Sequence, residues 1–154
     1  AGTRTYDEFH KVLERGGVVG GSSAGATILG EYLVRGDTRG SGIVMTDEEN
    51  HQLGFEFIRK VAIDQHINTR NRWDHIIPLI EQQPHLLGIG LSEDTAIIVT
   101  GDKFEVMGDW MVAVHDNTRA YQPWEKPYFV LAPGDMYDMR ARRIVVPVQV
   151  SGTN

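Results

Sequence analysis

The sequence predicts a mixed α/β fold in which helices cover the faces of a β-sheet. In the first half of the chain, segments with helical spacing of apolar residues alternate with short apolar runs that are typical of buried strands. From Leu87 onward, apolar stretches are separated by Gly-Asp pairs, which indicates strands joined by tight turns. The 154 residues contain no repeat, low-complexity tract or linker, so we expect one structural unit.

Three segments have the spacing of amphipathic helices. In residues 5–17 apolar side chains recur every three or four positions, Thr5 and Glu8 fit a capping box, and a Gly-Gly pair marks the end. The second predicted helix covers residues 24–34. The third covers residues 73–83 and is followed directly by a proline.

The remaining apolar runs are predicted strands. Val18 and Val19, between glycines, are typical of a brief buried strand, and residues 57–63 are typical of a longer one. Residues 143–150 add a last strand. Three segments are expected to form turns or loops: residues 37–52, 100–102 and 108–109.

Composition and charge exclude several classes of function. A net charge of −6 makes the chain a poor non-specific partner for nucleic acid, and no apolar run approaches the roughly 20 residues of a membrane-spanning helix. Because there is no cysteine, disulfides, thiolate nucleophiles and cysteine-based metal sites are excluded. The histidines show no paired spacing such as H-x-x-x-H, so we expect neither a metal nor an organic cofactor. A nucleophile must be an alcohol, an amine or a carboxylate.

The motif Gly21-Ser22-Ser23-Ala24-Gly25 matches G-x-S-x-G, the nucleophile elbow, and lies between an apolar pair and a predicted helix. In such a strained turn, the positions two before and two after the serine approach other backbone, so only a very small residue is expected there. The N–H of Ala24, at the helix start, would stabilise the oxyanion of an acyl-transfer intermediate. A flexible turn or a phosphate-binding loop also fits these residue types, but the Gly-Lys-Ser/Thr of a P-loop is absent.

A serine nucleophile needs a base, and the chain offers six histidines. His66 follows a predicted strand, at a point where loops often carry functional groups. The other histidines lie in predicted helices, loops or turns. Spacing alone does not distinguish His66 from them.

Three segments together resemble the signature blocks of the cyanophycinase family of serine peptidases: GGSSAGA, DQHINTRNR and GIGLSEDTA. Their order and spacing agree across nearly the whole chain, with 43 residues from Ser23 to His66 and 27 from His66 to Glu93. The family is similar to aspartyl dipeptidases built on a class I glutamine-amidotransferase-like fold. The resemblance therefore implies a three-layer α/β/α fold with a mostly parallel sheet and C-terminal hairpin strands.

The resemblance also implies a catalytic triad. Ser23 would be the nucleophile, His66 the general base and Glu93 the carboxylate that orients the imidazole. The chain order Ser, His, Glu differs from that of α/β-hydrolases, which share the elbow but place the acidic residue before the histidine.

In the family, the second block and the arginines after it shape the substrate pocket. By this resemblance, Asp64 and Gln65 would contact polar groups of the substrate, with Asp64 suiting an α-amino group. Arg70 and Arg72 would pair with carboxylates through the guanidinium fork. His75 stands where family members active on cyanophycin tend to have a further arginine, so we expect short β-aspartyl peptides to be preferred to the polymer.

The function that the resemblance implies is serine-type hydrolysis, through an acyl-enzyme, of the amide between an aspartyl side-chain carboxyl and an amino acid such as arginine. The alternatives are an α-aspartyl or other acidic dipeptidase on the same scaffold, and a catalytically inactive binding domain. The expected partner is a β-aspartyl peptide substrate; a homodimer stays open, and nucleic acid and membranes are not expected. The family default is a cytoplasmic location, and an exported form stays open.

The chain opens at the helix directly before the elbow, whereas its apparent relatives carry a stretch of sheet and helix ahead of that point. In those relatives the earlier stretch supplies a second oxyanion donor and a wall of the pocket. We therefore expect residues 1–154 to be the C-terminal portion of one catalytic domain, held non-covalently to an N-terminal fragment of the same protein.

Overall fold

The structure, a computed structural model, describes residues 3–34 and 52–146, and these ranges contain three helices and nine strands. The helices are α1 (Arg4–Glu14), α2 (Ala24–Thr27) and α3 (Ile77–Gln82), and none of these described helices is long and apolar enough to cross a membrane. The strands are β1 (Gly30–Tyr32), β2 (Ile58–Gln65), β3 (Leu87–Leu91), β4 (Thr95–Thr100), β5 (Lys103–Gly108), β6 (Val112–His115), β7 (Phe129–Leu131), β8 (Met136–Asp138) and β9 (Arg143–Val145). The mixed α/β composition predicted from the sequence is confirmed.

The strands form two sheets rather than the one that the sequence predicts. The first has the order β1-β2-β3-β6-β7, in which β1, β2 and β3 are parallel and β6 and β7 are antiparallel. The second has the order β4-β5-β8-β9 and is antiparallel throughout. Antiparallel strands can be joined by tight turns, whereas parallel strands need a crossover. The hairpin-rich second half of the chain can therefore build a sheet of its own.

The main apolar core lies between the two sheets. Ile63, Ile89 and Val114 from the first sheet pack in one cluster with Phe104 and Tyr137 from the second. Strand β3 is buried along its whole length, as expected for a strand covered on both faces. Strand β4 alternates between partly buried and exposed residues, because only one face of the second sheet meets the core.

The other face of the first sheet is covered by α3. Ile76 and Leu79 pack there in a second cluster with Ala62 and Leu86. Ala62 and its neighbour Ile63 point to opposite sides of β2, so the two clusters lie on the two faces of the sheet. Packing on both faces leaves the ends of the parallel strands available for functional side chains.

Helix α1 confirms the first predicted helix, but the predicted capping box is wrong. The N-cap is Thr3, whose Oγ1 accepts a hydrogen bond from the Tyr6 N–H at 3.3 Å. Thr5 lies inside the helix, and Glu8 pairs with Lys11 at 2.8 Å instead of reaching back to a cap. Thr3 has the extended backbone that a cap requires, so the helix begins directly after it.

The helix predicted over residues 24–34 is wrong beyond its first turn. Helix α2 ends at Thr27, and β1 then pairs in parallel with β2 through Gly30 and Tyr32. A Cβ at Gly30 would lie 2.7 Å from the carbonyl oxygen of Val61, so glycine allows the two strands to approach this closely. Burial of Tyr32 in the cluster beneath α3 favours the strand over a longer helix.

The strand predicted at Val18 and Val19 is also wrong. Val18 is 89% exposed, and residues 17–22 belong to neither of the two sheets. Two valines are too few to hold a strand conformation without a hydrogen-bonded neighbour, and no strand in the described part of the chain pairs with this segment.

Most of the other local predictions are confirmed. Residues 57–63 correspond to β2, and the turn at residues 100–102 joins β4 to β5. Gly108 ends β5 at a φ of 111°, a conformation that favours glycine, and the chain bends directly after it at Asp109, so the turn predicted at residues 108–109 starts one residue later. The helix predicted over residues 73–83 is shorter in the structure: residues 73–76 form turns, and only α3 (Ile77–Gln82) is helical.

Two predictions extend beyond the described residues. The loop predicted over residues 37–52 lies outside them except for its last position. The last predicted strand, residues 143–150, is described only as far as residue 146 and appears as β9.

Candidate active site

Ser23 occupies the turn that leads into α2, and its backbone is strained. Its φ of 54° and ψ of −124° lie in a region that residues with a side chain rarely adopt, at a cost of about 1–3 kcal/mol. A Cβ at Gly21 would collide with the carbonyl of Gly25, so the position two before the serine requires glycine. A Cβ at Gly25 would meet nothing within 4 Å. The prediction that only a very small residue fits two positions after the serine is therefore wrong.

Ser23, His66 and Glu93 form a hydrogen-bonded chain. Ser23 Oγ lies 2.9 Å from His66 Nε2, and His66 Nδ1 lies 2.9 Å from Glu93 Oε1. The structure thus brings together the three residues that the resemblance singles out. Both distances are within the reach that proton transfer to a base and orientation of that base require.

Parallel pairing of β2 and β3 brings His66 and Glu93 to the same edge of the first sheet. Gln65, the last residue of β2, lies opposite Leu91, the last residue of β3. The carboxyl ends of parallel strands meet at one edge, where side chains of the following loops converge. His66 has a left-handed backbone with a φ of 58°, and Ser23 reaches this edge because α2 packs against β2.

Two side chains that the sequence analysis missed hold Glu93. Thr69 Oγ1 donates a hydrogen bond to Glu93 Oε1 at 2.8 Å, and Asn68 Oδ1 accepts one from the Glu93 N–H at 2.9 Å. Both residues lie in the loop just after His66. Polar side chains this close to a candidate base are the signal that could have identified them.

Asp64 is buried and engaged on both oxygens by protein groups. Its Oδ2 lies 2.6 Å from His75 Nδ1, and its Oδ1 accepts a hydrogen bond from the Gln65 N–H at 2.9 Å. Arg72 Nη1 lies 3.7 Å from Asp64 Oδ1. The side chains of Asp64, His75 and Arg72 are only 4%, 5% and 12% exposed. These three residues contact one another inside the protein, and the contact with substrate that the resemblance implies for them stays a prediction.

The other residues that the resemblance links to substrate or oxyanion have different surroundings. Arg70 is exposed on the loop that follows His66. Gln65 Oε1 is buried and has no hydrogen-bond partner among the described residues. Ala24 is the first residue of α2, a position whose N–H has no acceptor within the helix.

The Ser23–His66–Glu93 set lies on an open surface. Ser23 is exposed, and the side chains of His66 and Glu93 are 23% and 43% exposed. A cavity of about 730 Å³ lies at the opposite ends of β2 and β3, and another of about 660 Å³ lies beside the β4–β5 turn and β8. Neither cavity includes the three residues. The hydrogen bonds, and not the shape of the surface, therefore identify the candidate site.

Two buried histidines, His75 and His115, lie outside this set. His115 is 2% exposed, its Nε2 lies 2.9 Å from the carbonyl oxygen of Trp73, and burial lowers the pKa of His115 to about 4. His115 is therefore neutral at pH 7 and can donate this hydrogen bond. His75 is bonded to Asp64. Within residues 3–34 and 52–146, no three His, Asp or Glu side chains are grouped closely enough to hold a metal ion.

Comparison with known proteins assigns the family. The model of peptidase family S51 matches residues 1–107, more than half of the chain. The chain belongs to peptidase family S51. The resemblance to the cyanophycinase family of serine peptidases is confirmed.

Curated relatives of this S51 chain carry the name cyanophycinase. The cyanophycinase of Geminocystis herdmanii is 33% identical over 105 residues, which cover 64% of this chain and 36% of that protein. The cyanophycinase of Synechococcus elongatus is 28% identical over 155 residues, which cover 90% of this chain and 47% of that protein. The S51 chain thus spans less than half the length of these relatives.

A solved structure shares the fold of this S51 chain. The crystal structure of a peptidase from an acI-B1 Actinobacterium matches with a TM-score of 0.62 at 24% sequence identity, covering 89% of this chain and 52% of that one. The match supports the mixed α/β fold. The N-terminal fragment, the homodimer and the cytoplasmic location stay predictions.

Proposed function

We propose that this S51 chain carries the catalytic residues of a serine-type hydrolase that cleaves β-aspartyl amide bonds, such as that of β-Asp-Arg. The observation that carries the proposal is the unbroken pair of 2.9 Å contacts from Ser23 through His66 to Glu93. The strained backbone of Ser23 adds support, because strain of this kind is concentrated at functional sites. The substrate class rests on the curated relatives, which are named cyanophycinases.

Acylation begins at the Ser23 hydroxyl. His66 Nε2 takes the hydroxyl proton while Ser23 Oγ attacks the carbonyl carbon of the aspartyl side chain. Glu93 accepts the hydrogen bond from the His66 Nδ1–H, holds the ring in this orientation and stabilises the imidazolium. His66 then gives the proton to the leaving amine, and the aspartyl group remains as an ester on Ser23.

Deacylation reuses the same groups. His66 Nε2 takes a proton from water, the resulting hydroxide attacks the ester carbonyl, and Ser23 Oγ leaves and recovers its proton. In both halves of the reaction, the N–H of Ala24 is the proposed donor to the oxyanion of the tetrahedral intermediate. Its place at the start of α2, without an acceptor in the helix, suits that role.

Arg70 is the proposed anchor for a substrate carboxylate. It is exposed on the loop that begins at His66, and a guanidinium pairs with a carboxylate through two parallel hydrogen bonds. Arg72 is paired with Asp64, so we assign it to support of the loop. We also propose that the fold is the three-layer, class I glutamine-amidotransferase-like arrangement, of which α3 and the parallel strands β1, β2 and β3 would be parts.

Replacement of Ser23 by alanine tests the proposed function, with Ser22→Ala as a matched control on the same turn. Ser23→Ala should lower kcat for hydrolysis of β-Asp-Arg by on the order of 10⁶-fold, the loss typical of a nucleophile that acts within a triad. Ser22→Ala should retain activity, because its hydroxyl lies outside the hydrogen-bonded chain. A fluorophosphonate should label Ser23 in the unaltered protein, as detected by peptide mass spectrometry.

Appreciable turnover by Ser23→Ala, or equal losses in the two variants, would contradict the assignment of Ser23 as nucleophile. The substrate class is tested separately by comparing β-Asp-Arg with α-Asp-Arg. Faster hydrolysis of the α-linked dipeptide would favour an acidic dipeptidase, and the absence of both hydrolysis and labelling would indicate an inactive binding domain.

A further inference from the structure

The carboxylate of Glu93 needs a restraint to stay aligned with His66. Its side chain is 43% exposed, and the terminal torsion of a glutamate is broad, so an unrestrained carboxylate samples many orientations. One oxygen, Oε1, faces His66 Nδ1 at 2.9 Å. If the carboxylate rotates away, the imidazole loses the acceptor that holds it towards Ser23.

The Thr69 hydroxyl is placed to supply this restraint. Its Oγ1 donates to Glu93 Oε1 at 2.8 Å, and this is the same oxygen that faces His66. The Thr69 Oγ1 atom also lies 3.5 Å from the carbonyl oxygen of His66. A hydrogen bond to a charged acceptor is stronger than one between neutral groups, so this contact can select one carboxylate orientation.

The backbone of Glu93 is held by the same loop. Asn68 Oδ1 accepts a hydrogen bond from the Glu93 N–H at 2.9 Å. His66, Asn68 and Thr69 lie within four consecutive positions, so one short segment carries both the base and the groups that hold its carboxylate partner. Movement of this segment would carry the base and the restraints together.

We propose that Thr69 is a positioning residue whose hydroxyl holds the Glu93 carboxylate against His66, and thereby holds the imidazole on Ser23. The inference rests on the proposed function, since it gives Thr69 a part in the same reaction. Thr69 acts through Glu93 and needs no contact with substrate. Its loss should therefore lower kcat and leave KM unchanged.

The test is Thr69→Val, which removes the hydroxyl and keeps the branched shape of the side chain. We expect kcat for β-Asp-Arg and the rate of fluorophosphonate labelling of Ser23 to fall about tenfold, the scale of one hydrogen bond to a charged group. Thr69→Ser, which keeps the hydroxyl, should restore most of both rates. Thr100→Val, at an exposed threonine at the end of β4, should leave both rates unchanged.

A double-mutant cycle with Glu93→Ala separates positioning from a general structural effect. If Thr69 acts through Glu93, adding Thr69→Val to Glu93→Ala should lower neither kcat nor the labelling rate of Ser23 any further. An equal tenfold loss in that background, or a failure of Thr69→Ser to restore the rates, would overturn the inference.

The Ser23→Ala and Thr69→Val experiments together distinguish failure of this inference from failure of the proposed function. A protein in which Ser23 is labelled and Ser23→Ala is inactive, but in which Thr69→Val reacts at the unaltered rate, would overturn the role of Thr69 alone. A protein in which Ser23 resists labelling and Ser23→Ala keeps its activity would overturn both.

Discussion

Gly21→Ala should disrupt the turn that holds Ser23, and the structure gives the size of the effect. A Cβ at position 21 would collide with the carbonyl carbon and oxygen of Gly25, and backbone atoms of a helix start cannot move aside as a flexible side chain can. Forcing an extra carbon into a packed site costs about 1–3 kcal/mol. A displacement of about 1 Å in a catalytic group lowers the rate by on the order of 100-fold.

The matched variant is Gly25→Ala, two residues after the serine. A Cβ there would meet nothing within 4 Å, and alanine is better than glycine inside a helix by about 0.5–1 kcal/mol. We therefore expect Gly25→Ala to unfold at an equal or slightly higher urea concentration and to keep the rate at which a fluorophosphonate labels Ser23. Gly21→Ala should be less stable and should be labelled about 100-fold more slowly. Equal behaviour of the two variants in both assays would refute the steric argument.

The remaining predictions concern buried ionisable groups. The pKa of His115 is lowered to about 4 by burial, so the unfolded chain binds more protons than the folded one between pH 4 and the ordinary value near 6.5. The contribution of His115 to the free energy of unfolding should be full above pH 6.5 and should fall by about 3 kcal/mol as the pH drops to 4. Urea unfolding of the unaltered protein and of His115→Gln at several pH values measures this change. If the free energy of unfolding depended equally on pH in both proteins, the prediction would be contradicted. Asp64→Asn should destabilise the protein by about 3–5 kcal/mol, because it leaves the buried charge of Arg72 without its partner and weakens the bond to His75. Asp74→Asn, at a half-exposed carboxylate, should leave urea unfolding unchanged, and equal destabilisation by the two substitutions would count against a buried cluster.

Sequence patterns predicted the elements whose contacts are local or whose periodicity is strong. Helix α1, strand β2 and the hairpin between β4 and β5 correspond to the spacing of apolar residues and to turn residues along the chain. The prediction over residues 24–34 failed at Gly30, where helical spacing and a short strand pattern look alike. Pairing with β2 and the burial of Tyr32 decided that segment, and both depend on residues far along the chain.

In the candidate site too, the sequence identified some residues, whereas some of the contacts between them are seen only in the structure. The elbow around Ser23 was evident from its small residues, and the family resemblance added His66 and Glu93. Neither source showed that Asp64 and His75 form a buried hydrogen-bonded pair, because burial and hydrogen bonding depend on the surrounding residues and not on residue type alone. For the same reason the part of the Asn68–Thr69 loop that holds Glu93 went unnoticed.

By itself, the sequence determined the mixed α/β class, the acidic and cysteine-free chemistry, and the serine at the centre of a glycine-rich turn. These properties depend on residue type and on spacing within a few positions. The tertiary structure alone decided that the imidazole of His66 lies 2.9 Å from both Ser23 Oγ and Glu93 Oε1, across separations of 43 and 27 residues. The physical reason is the register of β2 against β3, which brings the ends of two parallel strands to one edge, and the packing of α2 against β2, which carries Ser23 to the same edge.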